Sequence, residues 1–169
     1  MMRLLLVLVA AMGIALPDAA RAGFEDGRQA FARGDYGRAL REFLPLAEAG
    51  VPEAENAMGI IYRYGLGIQE DDAVAHGWFL RAAAKGSSQA QQHLGVIYAL
   101  GQGVEANDVE AHIWLSLALA GGIEGDDRLM ANVNRDVLTR RMSREQLAEA
   151  ARRAQDMSMR IAASGPGAP

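Results

Sequence analysis

The sequence contains no cysteine. The chain therefore has no disulfide, no thiolate ligand for a metal ion, no cysteine nucleophile and no N-terminal cysteine for lipid attachment. Aromatic residues are scarce, at 6% of the chain, and the formal net charge is -4. This acidic balance argues against a basic stripe that would bind the phosphate backbone of DNA or RNA, so we expect no nucleic-acid partner.

What the sequence does contain is typical of a globular protein. Half of its 169 residues are hydrophobic and 22% are charged, which is enough apolar material for one domain with a packed core. Its 19 glycines predict frequent turns, because glycine adopts backbone conformations that other residues avoid.

The first 22 residues have the pattern of a secretory signal. Arg3 supplies a positive start, residues 4–16 are apolar, and the chain then reaches Ala20-Arg21-Ala22, which suits a signal peptidase. The apolar run is shorter than the roughly 20 residues that span a bilayer. We predict a signal peptide over 1–22 with cleavage after Ala22, a periplasmic or secreted protein, and no stable membrane span after cleavage. An uncleaved N-terminal anchor is the alternative, and it also places the domain outside the cytoplasm.

Two stretches of the chain repeat one another at an offset of 36 residues. When residues 54–86 are aligned with residues 90–122 without a gap, 13 of 33 positions are identical, whereas chance gives roughly two or three. The identical pairs are Ala54/Ala90, Gly59/Gly95, Ile61/Ile97, Tyr62/Tyr98, Gly65/Gly101, Gly67/Gly103, Asp72/Asp108, Ala75/Ala111, His76/His112, Trp78/Trp114, Ala82/Ala118, Ala84/Ala120 and Gly86/Gly122. Residues 39–50 match residues 75–86 in the same frame, which predicts a shorter unit before the two full ones.

Each full unit has the periodicity of two helices joined by a glycine loop. Apolar residues over 54–62 recur at i, i+3, i+4, i+7 and i+8, which predicts a first helix. Gly65 and Gly67 are expected to end that helix, and Asp71 or Asp72 to cap the second. A single helical pair is too thin to bury its own apolar face, so we expect the pairs to stack on one another.

The shared pattern, A-x4-G-x-I-Y-x2-G-x-G-[IV]-x3-D-x2-A-H-x-W-x3-A-x-A-x-G, resembles the Sel1-like repeat, a relative of the tetratricopeptide repeat. The resemblance implies an all-α fold, a right-handed α-solenoid of about three helix-turn-helix repeats with a C-terminal helical cap. We expect repeats over 23–125, capping helices over 126–163 and a flexible tail over 164–169. Ser143 and Gln146 have the spacing of a capping box for the last helix. The positions that we assign to the repeat scaffold are Gly59, Tyr62, Gly65, Gly67, Asp72, Ala75, Trp78, Gly86, Gly95, Tyr98, Gly101, Gly103, Asp108, Ala111, Trp114 and Gly122.

The sequence offers little support for catalysis or for a bound metal or cofactor. His76 and His112 are one repeat apart, about 10 Å if the helices pack as usual, whereas ligands of one zinc ion each lie about 2 Å from it. The glycine loops lack the Lys-Ser/Thr pair of a phosphate-binding loop. Some Sel1-like proteins are linked to β-lactam binding or hydrolysis, so the alternative function is a cell-envelope enzyme acting on peptidoglycan or β-lactams. No Ser-x-x-Lys or Gly-x-Ser-x-Gly motif supports it, and we predict no catalytic residue, no metal and no cofactor.

The function that the resemblance implies is that of an interaction scaffold, and we predict a regulator or scaffold that binds a protein or peptide in the groove of the repeats. Residues that differ between the copies are the better binding candidates, because the scaffold does not dictate them. On the first helices they include Tyr64 and its counterpart Leu100. If the first helices line the concave face, the tentative partner-binding residues are Asn56, Arg63, Gln92 and His93.

Overall fold

The computed structural model describes residues 18–164, which fold into helices and contain no strand. The eight helices of this part of the chain are α1 (Asp18–Ala32), α2 (Tyr36–Glu48), α3 (Pro52–Arg63), α4 (Asp72–Ala83), α5 (Ser88–Leu100), α6 (Asp108–Ala120), α7 (Gly125–Arg141) and α8 (Arg144–Ser164). The all-α prediction is therefore confirmed. The signal prediction falls largely on 1–17 and the tail prediction on 165–169, both outside the described residues, while Ser164 still belongs to α8.

The helices form three antiparallel pairs that stack in chain order. The pairs are α1 with α2, α3 with α4, and α5 with α6, and each second helix also packs against the first helix of the next pair. Residues 18–22 form the first turn of α1, so the predicted cleavage after Ala22 would leave that helix beginning at Gly23. None of the helices over 18–164 combines the length and the apolar composition that crossing a membrane requires.

A side chain at the start of each second helix caps it, as the sequence predicted. Asp71, and not Asp72, accepts the backbone N–H of Val74 at 2.9 Å, and Asn107 accepts that of Glu110 at 3.0 Å. These bonds satisfy amide groups that a helix leaves free at its N-terminus. The capping box is also confirmed, because Gln146 accepts from the backbone N–H of Ser143 at 2.8 Å.

The two glycines of each loop have different roles. Gly101 ends α5 in the left-handed conformation, at φ +68°, which costs glycine little because it has no Cβ. Gly103 is needed for a second reason, since a Cβ there would lie 2.7 Å from the backbone carbonyl carbon of Asp72. The loop of one unit thus rests on the start of the second helix in the unit before it.

A glycine in each first helix allows the second helix to approach closely. A Cβ on Gly59 would lie 2.5 Å from Phe79, and one on Gly95 would lie 2.5 Å from Leu115. Gly27 in α1 has the same relation to Phe43, at 2.6 Å, although the sequence alignment did not include it. The first, shorter unit therefore packs by the same device as the two full ones.

The apolar side chains between the helices form one continuous core. Buried residues such as Phe43 and Met58 form a cluster in the N-terminal part, and others such as Leu94 form a second cluster. Tyr62 packs against both clusters, which joins them. Trp78 packs on the first cluster and Trp114 lies in the second, as expected for equivalent positions in stacked units.

The two C-terminal helices close one end of this core. Both α7 and α8 pack mainly against α6, more than against one another. Ala150, fully buried, and Ala154 face the core from α8. Arg153 of α8 forms an ion pair with Glu110 of α6.

Candidate partner-binding surface

The first helices of the two full units carry matching apolar rows. Tyr64 and Leu100 occupy equivalent positions at the C-terminal ends of α3 and α5, and they are 57% and 64% exposed. One turn earlier, Ile60 and Val96 are half-buried. The two first helices approach one another, and we call these four side chains the first-helix row.

Arg63 lies at the edge of the first-helix row and links two units. Its Nη2 donates to Oε1 of Gln102 at 2.6 Å, across to the loop of the following unit. The guanidinium carbon lies 5.6 Å from the centre of the Tyr64 ring, within the range of a cation–π contact. Arg63 therefore contacts Tyr64 and lies beside the first-helix row.

Two of the predicted partner-binding residues are buried between helices. Asn56 is 6% exposed and Gln92 is 8% exposed. Gln92 Nε2 donates to the backbone carbonyl of Asp127 in α7 at 3.1 Å. The expectation that these side chains face outward is corrected, because both are buried within the helical stack. Within residues 18–164, Asn56 Oδ1 has no hydrogen-bond partner.

His93, the fourth predicted residue, packs against the core. Its ring stacks on that of Phe79 with the ring centres 4.6 Å apart and the planes at 29°. Burial, and to a lesser extent the positive charge of Arg63, lowers the pKa of His93 to about 4, against an opposing contribution from Asp127. At neutral pH the ring is uncharged and acts as an aromatic packing surface with one edge towards solvent.

The low pKa of His93 predicts a loss of stability in mild acid. In the unfolded chain the imidazole titrates near 6.5, whereas in the folded chain it titrates at about 4. Between these values the unfolded state binds a proton that the folded state does not, so the free energy of unfolding falls as the pH decreases. From pH 7 to pH 5 we expect His93 to account for about 1–2 kcal/mol of that decrease.

Urea unfolding at pH 7 and pH 5 measures this contribution. The variant His93→Gln keeps a polar side chain but has no titrating group, so its stability should fall less over the same interval. If the wild type and His93→Gln lose equal stability between pH 7 and pH 5, the decrease comes from other groups and the assignment to His93 is wrong.

The other two histidines are held in separate contacts. His76 Nε2 lies 3.0 Å from the hydroxyl of Tyr98, and His112 Nδ1 lies 3.4 Å from Ser116 Oγ. Partial burial lowers the pKa of both. In residues 18–164 no three of the side chains that commonly bind metals converge on one point.

A shallow cleft lies at the edge of the stack where helix ends meet. It has a volume of about 490 Å³ and is lined by residues that include Lys85, Ser88 and Glu124. The cation of Lys85 is already occupied, because its Nζ lies 2.6 Å from both carboxylate oxygens of Glu55. Among the described residues that line it, the cleft therefore presents no free cation, and the first-helix row is the stronger candidate for binding.

Comparison with known proteins identifies the same repeats. The model of the Sel1 repeat matches residues 52–87 and 88–123. The crystal structure of c5321, a protective antigen in uropathogenic Escherichia coli strains that displays an SLR fold, superposes with a TM-score of 0.76 and 29% sequence identity. That match covers 85% of this chain and 30% of the Escherichia coli chain, so this chain spans less than a third of it.

A second solved structure is similar over most of its own length. The Sel1 repeat protein from Oxalobacter formigenes is 31% identical, with a TM-score of 0.58, and the match covers 67% of this chain and 87% of that one. No curated protein sequence matches the chain.

Proposed function

Because the chain belongs to the Sel1 repeat family, we propose that it is a protein-interaction scaffold that binds a partner polypeptide along the first-helix row. The observation that carries the proposal is the exposure of Tyr64 and Leu100 at equivalent positions of adjacent units. Large apolar side chains that are grouped on a surface mark sites of protein contact more often than isolated ones do. Tyrosine in particular is enriched at the centres of such interfaces.

The row favours a partner segment with apolar side chains spaced to meet two neighbouring helices. Adjacent packed helices lie about 8–10 Å apart, so successive anchors of the partner would be separated by that distance. Only two full units contribute, so the contact is small and its affinity gains from a second contact elsewhere.

We further propose that the scaffold acts in the periplasm or outside the cell. The support for this is the N-terminal pattern of a positive start, an apolar run and small residues ending at Ala22. A partner would then be an envelope or secreted protein.

Site-specific crosslinking tests the binding surface. A photoreactive amino acid placed at position 64 or 100 in intact cells is expected to capture the same partner from both positions. Val74 of α4 is exposed on the second-helix side and serves as the control position. Capture from position 74 with equal yield, or different proteins from positions 64 and 100, would contradict the proposed row.

The captured partner then allows a quantitative test. In the double variant Tyr64→Ser with Leu100→Ser, the dissociation constant should rise at least about tenfold, because two apolar anchors of an interface are lost. The free energy of unfolding should change by no more than about 0.5 kcal/mol, since exposed side chains contribute little to stability. Unchanged affinity in this variant would place the binding surface elsewhere.

A further inference from the structure

Helix α7 carries an apolar face that no described residue covers. Its buried side consists of Ala131 and Leu138. Four large apolar side chains on the remaining surface are 48–62% exposed, namely Leu129, Met130, Val133 and Val137. The last helix does not shield them, because α8 packs against α6.

An apolar outer face is unusual at the end of a helical stack. A unit at the end of a solenoid needs a polar outer surface to stay soluble, and α7 and α8 are the last helices that the structure describes. A contiguous apolar stripe at that position instead indicates a contact with another molecule.

The stripe on α7 is symmetric about Val133. Leu129 and Val137 lie four residues before and after it, and Asp126 and Arg140 lie seven residues before and after it. Residues at these spacings share one face of a helix. Reversing the direction of the helix therefore exchanges Leu129 with Val137 and the acidic end with the basic end, whereas Met130 falls on the position of Asp136.

We propose that a second copy of this chain binds here, with the two α7 helices antiparallel about a two-fold axis at Val133. In this arrangement Leu129 packs against the partner's Val137, and Asp126 pairs with the partner's Arg140. A two-fold interface requires a surface that complements itself. Positions 126, 129, 133, 137 and 140 meet this condition in both apolar pattern and charge, and Met130, which would lie near the partner's Asp136, does not contribute to it.

The two charged residues are available for such pairing. Asp126 and Arg140 are exposed, and within residues 18–164 neither is in an ion pair, whereas the neighbouring Arg141 bonds Asp108 at 2.6 Å. Acidic residues at the start of a helix and basic ones at its end also stabilise the helix dipole. That effect does not explain the exposed apolar side chains between them, which a second copy would bury.

The size of the contact predicts a weak dimer. A stable complex buries about 800 Å² on each partner, and one helix face of about 14 residues offers less. We therefore expect a reversible equilibrium with a dissociation constant in the micromolar range or above.

A single introduced cysteine tests the geometry, because the natural chain has none. In Val133→Cys the two cysteines would lie at the two-fold axis, within the distance of roughly 7 Å between Cα atoms that a disulfide requires. Met159 in α8 is similarly exposed, at 56%, so Met159→Cys is the matched control. Both variants are prepared as the cell processes the chain. Under mild oxidation Val133→Cys should form disulfide-linked dimers at least about ten times faster than Met159→Cys does. Equal rates would overturn the proposal.

Charge exchange tests the pairing independently. Asp126→Arg and Arg140→Asp should each raise the dimer dissociation constant about tenfold in sedimentation experiments, because like charges then face one another. Mixing the two variants should restore association, since both contacts again join opposite charges. Helicity measured by circular dichroism verifies that each variant folds. Three results would contradict the proposal. The wild-type chain could stay monomeric up to about 1 mM, beyond the expected range, or the mixture of the two variants could stay monomeric. Position 133 could also crosslink in cells to a different protein.

Discussion

Replacing Gly59 with alanine is expected to lower the free energy of unfolding by about 3 kcal/mol, the upper end of the usual cost of overpacking a core. The new Cβ would lie 2.5, 2.6 and 2.8 Å from three carbons of the Phe79 ring. Phe79 is fully buried, so its ring cannot move without displacing its neighbours. The gain of about 1 kcal/mol that alanine normally brings to a helix interior is too small to offset this.

The chain supplies a matched control for this substitution. Gly77 lies inside α4, and a Cβ there would meet nothing within 4 Å. Gly77→Ala should therefore raise the free energy of unfolding by about 0.5–1 kcal/mol, the ordinary benefit of alanine in a helix. The opposite signs of the two alanine substitutions separate close packing from helix propensity.

Thermal unfolding followed by circular dichroism is a sufficient measurement. A loss of about 3 kcal/mol corresponds to a decrease in Tm of roughly 6–12 °C for a chain of this size. Gly95→Ala, which would bring a Cβ to 2.5 Å from Cγ of Leu115, should behave like Gly59→Ala. If all three variants were stabilised, the close approach of paired helices would not be what requires glycine at positions 59 and 95.

The pairing of helices was predictable from the sequence because the signals are local. Gly101 and Asn107 mark the end of one helix and the start of the next through their own backbone and side-chain preferences. The 36-residue repeat then places the same signals twice. The alignment did not include Gly27 because the first unit has a shorter loop. Its close contact with Phe43 is therefore visible only in the packed structure.

The candidate binding surface was less predictable, because burial depends on neighbours that a single helix does not reveal. Asn56 and Gln92 occupy a position that differs between the two copies, and they were expected to face a partner because the first helices were expected to line the concave face. In the stack, however, both side chains are buried, and Gln92 bonds the backbone of Asp127 in α7. Tyr64 and Leu100 were identified as positions that differ between the copies, but only the structure shows how exposed they are.

A buried carboxylate lies where three helices meet. Glu55 of α3 is fully buried, with Lys85 Nζ at 2.6 Å and Arg81 Nη2 at 2.9 Å. The same Nη2 donates to the backbone carbonyl of Ala47 at 2.7 Å, and the guanidinium lies 4.4 Å from the centre of the Trp78 ring. This network therefore connects α2, α3 and the end of α4.

Arg81→Leu should lower the free energy of unfolding by about 3 kcal/mol. The substitution leaves the Glu55 carboxylate buried with one cation instead of two, and removing one partner of a buried ion pair costs about 3–5 kcal/mol. The value expected here is at the lower end, because Lys85 remains and both cations are partly exposed. The carbonyl of Ala47 also loses one of its donors, which adds a smaller cost because the backbone N–H of Gly50 still donates to it.

The second full unit indicates a substitution that should restore the stability that Arg81→Leu loses. There the position equivalent to Glu55 is Gln91, and the position equivalent to Arg81 is Leu117. Gln91 Nε2 donates to the backbone carbonyl of Ala83 at 3.2 Å, which is the counterpart of Ala47. A glutamine at position 55 should therefore reach the carbonyl of Ala47 in the same way, without a charge that needs cations.

The double variant Glu55→Gln with Arg81→Leu should thus recover at least half of the stability that Arg81→Leu loses, although it removes one more native charge. Glu55→Gln alone should cost less than Arg81→Leu, because a neutral amide can remain buried with one hydrogen bond, whereas a carboxylate cannot easily lose a cation. Urea unfolding of the four proteins in this cycle gives the coupling energy between the two positions. Additive losses would mean that Arg81 stabilises the chain through Ala47 and Trp78, and not by compensating the buried charge of Glu55.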